Sequence, residues 1–189
     1  MADAGRVIAG TARGLRLEAP GPGTRPIGDR VKQTLFAILD LDLPGARVLD
    51  LFAGSGAAGI EALSRGAASA TFVERDAKAC SVIVANLVRT RLAGSAAIVV
   101  KADALGWLSG PGAAAHPFDL VIADPPYDEP ATMLRALEGL EAALAPGARV
   151  VAKHFWRDPP PAVIGLLASE RERRFGETAL TFYRRQEAP

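Results

Sequence analysis

The feature that most constrains the fold of this chain is a series of short apolar runs, each bounded by glycine, proline or charged residues. The runs are Arg47–Ala53, Thr71–Glu74, Ala97–Lys101, Phe118–Ala123 and Arg149–His154. Such runs are typical of strands that are buried on both faces of a parallel sheet. Because helix-type segments lie between them, the pattern predicts an α/β fold with a doubly wound, mostly parallel sheet.

Two of the intervening segments carry apolar residues at helical spacing, Ala77–Arg89 and Thr132–Leu144. The dipeptide Pro146-Gly147 follows the second of them, and this predicts the end of that helix. Ser109–Pro117 is rich in glycine, alanine and proline, which predicts a surface loop.

Both ends of the chain depart from the alternation. The N-terminal segment predicts a small hairpin, an irregular stretch and a helix with Asp29 as its N-cap, and the C-terminal segment predicts a closing antiparallel hairpin. These elements are Arg6–Gly10 with Leu15–Glu18, Pro20–Pro26, Asp29–Leu39, and Glu170–Phe175 with Thr178–Arg184. We therefore treat residues 1–40 as an extension packed on a core of residues 41–189, within a single structural domain.

Composition limits the classes of protein that remain. A chain of 189 residues with 49% hydrophobic residues is long enough for one domain with a sizeable core. The formal charge of +1 neither requires nor excludes a polyanionic partner. No apolar run approaches the roughly 18 residues of a membrane-spanning helix, and no leader-type segment is recognisable. Since Cys80 has no partner for an internal disulfide, we expect a cytoplasmic protein and a buried, structural cysteine.

The first motif with chemical content is a Gly-rich turn that follows an apolar strand, Val48-Leu49-Asp50-Leu51-Phe52-Ala53-Gly54-Ser55-Gly56. Glycines let a ligand approach the backbone at the carboxyl end of a strand, where doubly wound sheets bind their ligands. Asp50 would repel a pyrophosphate but favour the ammonium group of a methionine moiety. An ordinary strand-to-helix turn is the alternative.

Two further carboxylates follow the next strands. Glu74 ends the second strand, where a carboxylate can bind both hydroxyls of a ribose, and Asp103 follows the third strand, where it can accept from an adenine amino group. With Asp50 they predict a site for an adenosine-containing cofactor. Gly54, Gly56 and Gly59 also have the G-x-G-x-x-G spacing, so a nicotinamide dinucleotide remains an alternative at this point.

The most specific motif is Asp124-Pro125-Pro126-Tyr127, at the end of the fourth strand. Two prolines remove backbone donors and keep the chain extended, so the Asp124 carboxylate and the Pro125 carbonyl can accept from one amino group. Those bonds would direct the nitrogen lone pair toward an electrophilic methyl group, while Tyr127 offers a ring on which a base can stack. A purely structural Pro-Pro turn is the alternative.

These residues resemble the class I methyltransferases that modify amino groups of nucleic-acid bases. Other stretches narrow the resemblance to the RsmD-type 16S ribosomal-RNA guanine-N2 methyltransferases. They are Arg6–Gly10, Thr24–Pro26, Asp29–Phe36 and Gly59–Ala67, with Phe175–Thr178 and Thr181–Arg184 near the C-terminus. The similarity extends over nearly the whole chain.

The resemblance implies a Rossmann-like fold, S-adenosylmethionine as cofactor, and direct in-line methyl transfer to the N2 amine of a 16S guanine, of the guanine 966 type. It implies that Asp124, Pro125, Pro126 and Tyr127 hold the target base. The cofactor-binding candidates are Asp50, Ala53, Gly54, Ser55, Gly56, Glu74, Arg75, Asp103, Ala104 and Asp124.

The expected partner is 16S rRNA or the small ribosomal subunit, and the target base must be unpaired or flipped to reach the site. The candidate RNA-binding residues are Arg6, Arg13, Arg25, Arg30 and Lys32, and the terminal hairpin carries a second group, Arg171, Arg173, Arg174, Arg184 and Arg185. Acidic neighbours make a solvated, salt-bridged face an equal alternative for both groups. His116 and His154 lack ligand spacing, so we expect no metal site, and we expect a monomer.

Three other functions remain open from the sequence. A DNA adenine or cytosine amino-methyltransferase would use the same tetrapeptide but commonly adds a target-recognition segment. A small-molecule amine methyltransferase would need no basic surface. A nucleotide-binding module without catalysis would explain the glycine spacing but not Asp124–Tyr127.

Overall fold

The computed structural model describes residues 2–21, 27–115, 117–127 and 129–187. Within it the chain forms two compact units, unit 1 (Met1–Asp103) and unit 2 (Ala104–Pro189). Arg25, His116 and most of the segment Pro20–Pro26 lie outside the described residues. In the part of the chain that is described, no helix has the length and apolar character needed to cross a membrane.

Unit 1 begins with a two-stranded hairpin and continues as alternating strands and helices. Its elements are β1 (Ala2–Arg6), β2 (Arg16–Ala19), α1 (Asp29–Ile38), a 3-10 turn (Asp40–Asp42), β3 (Arg47–Leu51), α2 (Ala57–Ser64), β4 (Ser69–Glu74), α3 (Ala77–Thr90) and β5 (Ala97–Lys101). The strands β3, β4 and β5 are parallel neighbours in that order. Val48, Leu49, Leu51 and Phe72 have no exposed surface, which confirms the prediction of buried strands for β3 and β4. The prediction is wrong for β5, because this strand lies at the edge of the sheet and its Ile98 is 50% exposed.

The N-terminal hairpin is confirmed, but its first strand is β1 (Ala2–Arg6) and not Arg6–Gly10. The amides of Ile8 and Ala9 donate instead to the Glu61 carboxylate in α2, at 2.7 and 3.0 Å, so they are not available for strand pairing. The predicted N-cap is also wrong. Asp29 is the first residue of α1, Gly28 is the capping residue, and the Asp29 side chain forms an ion pair with Arg6 at 3.4 Å.

Unit 2 combines a parallel strand pair with an antiparallel C-terminal meander. Its elements are α4 (Ala104–Leu108), α5 (Pro111–Ala114), β6 (Phe118–Ala123), α6 (Pro130–Gly139), a 3-10 turn (Glu141–Ala143), β7 (Leu144–Phe155), β8 (Val163–Ile164), β9 (Leu167–Phe175) and β10 (Thr178–Arg185). β6 and β7 are parallel, and the order continues through antiparallel β10, β9 and β8. The predicted closing hairpin is thereby confirmed as β9 and β10.

The segment around Pro146-Gly147 differs from its prediction. The helix α6 ends at Gly139, and Pro146-Gly147 lies inside the strand β7 and not at a helix end. The register of β7 against β6 shifts between Phe118 and Leu120, which marks a bulge at this point. Proline and glycine are tolerated in a strand at a bulge because no ladder hydrogen bond is lost there.

The predicted surface loop Ser109–Pro117 contains the short helix α5. Pro111 opens this helix, where its missing N–H costs no hydrogen bond. Ala113 is only 1% exposed, so this residue packs inside unit 2. The segment is therefore not entirely a surface loop.

Candidate functional site

The Gly-rich segment between β3 and α2 forms a tight turn in unit 1 with several left-handed residues. They are Phe52 (φ 66°), Gly54 (φ 56°) and Gly56 (φ 75°). Glycine adopts such angles at little cost, whereas a residue with a side chain is strained there. Phe52 is therefore an outlier of the kind that clusters at ligand-binding sites.

Glu74, the last residue of β4, is bonded to this turn. Its Oε2 accepts a hydrogen bond from the Gly54 amide at 2.8 Å, and its Oε1 accepts one from the Asp76 amide at 2.9 Å. Two backbone donors thus orient a half-buried carboxylate. Since a carboxylate has about four acceptor positions, both oxygens keep capacity for further donors such as ribose hydroxyls. The ribose-binding role of Glu74 stays a prediction.

Asp50 lies within β3, and its side chain is buried. Its Oδ2 accepts a hydrogen bond from the Gly59 amide in α2 at 2.8 Å. A β-carbon on Gly59 would approach the Phe72 ring to 2.3 Å, so glycine is needed for α2 to lie this close to β4. Asp50 therefore holds α2 against the sheet, and the predicted contact with an ammonium group would use its remaining lone pairs.

The turn is also supported by Asn86, a residue that the sequence interpretation missed. The fully buried Asn86 side chain donates to the Ser55 carbonyl at 3.0 Å and exchanges two hydrogen bonds of 2.9 Å with the backbone of Glu18. It thereby joins α3, β2 and the turn. An asparagine on the apolar face of a predicted helix was the available signal, because a buried amide needs partners.

The remaining cofactor candidates of the sequence lie in the Gly-rich turn or directly after β4 and β5. Ala53 and Ser55 are buried in the turn, Arg75 follows Glu74 and is exposed, and Ala104 is buried at the start of α4. The Ala102 amide donates to the Glu74 carbonyl at 3.0 Å, which brings the segment that leads to Asp103 beside the end of β4. The structure thus groups Glu74, the turn and the Asp103 segment, as the sequence predicts for strand ends in one sheet.

In unit 2, Asp124 follows β6 and forms an ion pair with Lys153 of β7. The Lys153 Nζ donates to the Asp124 Oδ1 at 2.6 Å, and the two side chains are 8% and 19% exposed respectively. The strand register explains the contact, because Ala123 of β6 lies opposite Ala152 of β7. Pro125 is buried and Pro126 is exposed, and neither offers a backbone donor.

Tyr127 is held between three neighbours in unit 2. Its hydroxyl lies 3.0 Å from the Thr178 Oγ1, its ring centroid lies 6.4 Å from that of Phe155, and the Lys153 Nζ lies 4.9 Å from its ring centroid. Such a cation–ring contact attracts the ammonium group to the face of the phenol. Lys153 thus contacts both Asp124 and Tyr127.

Burial and pairing determine the ionisation of this pair. Burial raises the pKa of Asp124, and the Lys153 ammonium opposes only part of that effect. Burial alone would lower the pKa of Lys153, but the Asp124 carboxylate and the Tyr127 side chain raise it above its usual value. Lys153 is therefore a charged lysine at neutral pH, and Asp124 is a more basic carboxylate than an exposed one.

Lys153 was missed by the sequence interpretation. The available signal was a lysine inside an apolar strand, Val150-Val151-Ala152-Lys153, because a lysine is almost never buried without a partner. Its partner lies 29 positions earlier in the chain, so only the register of β6 and β7 identifies it.

The predicted RNA-binding residues differ in their surroundings. Arg6, Arg13 and Arg30 are exposed on unit 1. Lys32, in contrast, has no exposed surface, donates to the Arg6 carbonyl and pairs with Glu61 at 3.9 Å. Burial lowers the pKa of Lys32, although the Glu61 carboxylate opposes this. We remove Lys32 from the RNA-binding candidates because its ammonium group is used inside the fold.

Cysteine and histidine take part in local contacts. Cys80 is half-buried, and not fully buried as expected, with its Sγ 3.4 Å from the Glu74 carbonyl oxygen. Burial and the nearby Glu74 and Asp76 carboxylates raise the pKa of the Cys80 thiol, which makes it a poor nucleophile. The ring nitrogens of His154 contact the Phe155 carbonyl and the Thr181 hydroxyl at 2.8 and 2.9 Å. Among the residues with described positions, no cluster of acidic, histidine or cysteine side chains is arranged to hold a metal ion.

The chain is similar in sequence and in fold to known proteins. A family model described as Conserved hypothetical protein 95 matches residues 5–184. The curated protein Ribosomal RNA small subunit methyltransferase D of Escherichia coli is 37% identical over 184 residues, which are 96% of this chain and 90% of that protein. The solved structure of the yhhF protein from Escherichia coli is 33% identical with a TM-score of 0.84, covering 96% of this chain and 97% of that chain.

A more distant solved structure, SMU.776 complexed with SAH, is 13% identical with a TM-score of 0.65, covering 82% of this chain and 49% of that chain. This is a likeness of fold alone. Together with the yhhF structure it confirms the predicted α/β fold of the Rossmann-like methyltransferase type.

Proposed function

We propose that this chain, which belongs to the RsmD-type family described by the model Conserved hypothetical protein 95, transfers a methyl group from S-adenosylmethionine to the N2 amine of a guanine in 16S ribosomal RNA. The name of the Escherichia coli relative supports rRNA of the small subunit as the substrate class. The guanine N2 position, of the guanine 966 type, follows from the sequence resemblance. The observation that carries the proposal is the turn Asp124–Tyr127, where a half-buried carboxylate and an aromatic ring both contact Lys153 at the end of β6.

The residues of unit 1 fit an adenosine-containing cofactor. The Glu74 carboxylate is oriented by two backbone amides and keeps acceptor capacity for two hydroxyls, and the left-handed glycines leave the backbone of the turn accessible. Asp50 and Asp103 provide the further carboxylates for an ammonium group and an adenine amine. When bound, S-adenosylmethionine supplies a methyl group on a positively charged sulfur.

The residues of unit 2 fit a planar base with an exocyclic amine. The Asp124 carboxylate and the Pro125 carbonyl would each accept one proton of the amine, which leaves the nitrogen lone pair directed at the methyl carbon. Tyr127 would stack on the base, and its ring is kept in place by the Thr178 hydroxyl and Phe155. Lys153 holds the Asp124 carboxylate through one oxygen, so the second oxygen remains for the amine.

The proposed reaction involves no covalent enzyme intermediate. The nitrogen forms a bond to the methyl carbon as the carbon–sulfur bond breaks, and the nitrogen then loses one of its two protons. Asp124 is suited to receive that proton, because burial raises its pKa and makes it a better base than an exposed carboxylate.

The experiment that tests the proposal uses S-adenosylmethionine labelled in its methyl group. The protein is incubated with unmethylated 16S transcript, with small subunits from cells that lack this gene, or with DNA, and the labelled position is located. We expect label on a guanine N2 of 16S rRNA. Label on a DNA amine, or on no nucleic acid, would instead support one of the alternatives that the sequence leaves open.

The site assignment is tested by Asp124→Ala, which we expect to abolish transfer while leaving the affinity for S-adenosylmethionine nearly unchanged. Asp124→Asn keeps a carbonyl acceptor but removes the charge, so its residual activity separates hydrogen-bond geometry from charge and proton transfer. Glu138→Ala removes an exposed carboxylate from α6 and serves as the control. If Asp124→Ala methylates RNA at the parent rate, the turn has a structural role only.

A further inference from the structure

A row of aromatic and basic side chains continues from the Asp124–Tyr127 turn along the surface of unit 2. The Tyr127 and Phe155 centroids are 6.4 Å apart, and the Phe155 and Trp156 centroids are also 6.4 Å apart. Two guanidinium groups lie against the last ring, Arg174 at 3.5 Å and Arg157 at 4.9 Å from the Trp156 centroid. Trp156, Arg157 and Arg174 are called the Trp156 cluster below.

The cluster is built on the same hairpin tip that holds Tyr127. The Trp156 amide donates to the Glu177 carbonyl at 3.0 Å, and the Arg174 Nε donates to the Gly176 carbonyl at 2.9 Å. Thr178, at the start of β10, contacts the Tyr127 hydroxyl. The Trp156 cluster therefore has a fixed position relative to the ring on which we place the target base.

The charge of the cluster is available to a partner. Arg157 and Arg174 are exposed, and Trp156 is half-buried. Within the described part of the chain, neither guanidinium forms an ion pair, whereas Arg149 and Arg184 pair with Glu170. A guanidinium group that lies over an indole ring can stack with a base on its other side and donate to phosphate oxygens through its Nη groups.

We propose that the Trp156 cluster binds the nucleotide next to the methylated base in a single-stranded segment of RNA. Its base stacks on the Arg174 guanidinium group, which itself lies on the Trp156 ring, and its phosphate accepts from the guanidinium groups. The proposal rests on the proposed function, because it takes Tyr127 as the place of the target base. It assigns RNA contacts to unit 2, separate from the arginines of the N-terminal extension.

The first test compares two exposed arginines of unit 2. Arg174 lies over the Trp156 ring, whereas Arg135 is exposed on α6, outside the Trp156 cluster. Arg135→Ala therefore removes the same charge from a position outside the cluster and is the control. We expect Arg174→Ala to raise the KM for unmethylated 16S transcript about tenfold, with kcat and the affinity for S-adenosylmethionine unchanged. Arg135→Ala should change this KM about twofold at most.

The second test reads binding without methyl transfer. The chain has two tryptophans, Trp107 and Trp156, and stacking of a base on the Arg174–Trp156 pair should quench the fluorescence of Trp156 when RNA is added. We expect the quenching to persist in Trp107→Phe and to disappear in Trp156→Phe, which keeps an aromatic ring in the half-buried position. Arg174→Lys keeps the charge but not the plane, so its affinity for RNA should lie between those of the parent and Arg174→Ala.

The outcomes separate this inference from the proposed function. Equal effects of Arg135→Ala and Arg174→Ala would overturn it, since the contribution would then be general electrostatic attraction. Quenching that persists in Trp156→Phe would overturn it as well. Equal affinity for single-stranded DNA of the same sequence would overturn the assignment to RNA. If the parent protein shows the expected quenching but methylates no RNA, the cluster binds RNA as proposed, and the proposed function alone is wrong.

Discussion

Replacement of Lys153 by methionine tests whether the Asp124 carboxylate depends on its ion pair. The change removes the ammonium group but keeps an unbranched side chain in a position that is only 8% exposed. The Nζ–Oδ1 bond of 2.6 Å is short and charge-assisted. Hydrogen bonds to charged groups contribute roughly 1.5–3 kcal/mol, which corresponds to about 13- to 160-fold in rate when the bond orients a reacting group.

The direction of the pH effect follows from the same contact. In the parent protein burial raises the pKa of Asp124 and Lys153 opposes this in part, so loss of Lys153 raises that pKa further. A smaller fraction of Asp124 is then ionised at a given pH. We therefore expect the acid limb of the rate profile to move to higher pH in Lys153→Met. Lys153→Arg keeps the charge and should restore part of the rate and the position of the limb.

The loss of stability in Lys153→Met has the opposite pH dependence from the loss of rate. A carboxyl group whose pKa is higher in the folded than in the unfolded chain contributes stability below its unfolded pKa, and this contribution is lost as pH rises through the folded pKa. Lys153→Met should therefore lose more thermal stability relative to the parent at neutral pH than at acidic pH. Single-turnover methyl transfer and thermal unfolding, both measured as functions of pH, check this reasoning. A parent-like rate with an unmoved acid limb would refute it.

Two further predictions concern unit 1. Glu74→Ala should weaken the binding of S-adenosylmethionine by about 1–3 kcal/mol, because an oriented acceptor of two hydroxyls is lost, and unchanged affinity in titration calorimetry would contradict this. Glu61→Ala should lower the free energy of unfolding in urea by about 3–5 kcal/mol, since it leaves the Lys32 ammonium buried and removes the acceptor of the Ile8 and Ala9 amides. The double variant Glu61→Ala/Lys32→Met should recover part of that loss, and additive effects of the two changes would contradict the pairing.

The central strands could be predicted from the sequence because burial on both faces leaves a clear apolar run. The ends of the helices and strands could not be predicted in this way, since the residue types that mark such ends also occur in other structural settings. Pro146-Gly147 ends helices in many proteins, but here the dipeptide forms a bulge in β7, and only the register against β6 shows this. Aspartate is likewise favoured at the N-cap of helices. The Asp29 carboxylate, however, pairs with Arg6, and Gly28 is the capping residue of α1.

Residues of the candidate site could be predicted where they end or directly follow a strand, because the strand then determines their position in the fold. Glu74 and Asp124 follow strands, so their place at a strand end was evident. Lys153 was missed because its partner is distant in the chain. Lys32 was misassigned because it stands among arginines, although it lies three and four residues before the buried Leu35 and Phe36 and therefore on the same face of α1. Helical spacing was the stronger signal at that position.

The helix α2 connects the N-terminal extension to the Gly-rich turn. Through this helix the extension can affect the position of the turn, in addition to any contact that its arginines make with RNA. At its start, the Gly59 amide bonds to Asp50 in β3. Further along the helix, Glu61 accepts from the Ile8 and Ala9 amides of the extension, and Ser64 accepts from the Ala12 amide at 2.9 Å. Since every residue of α2 is buried, the helix has little freedom to move independently of either contact. Loosening of the extension should therefore disturb the position of the turn and weaken cofactor binding, even where no residue of the extension contacts the cofactor.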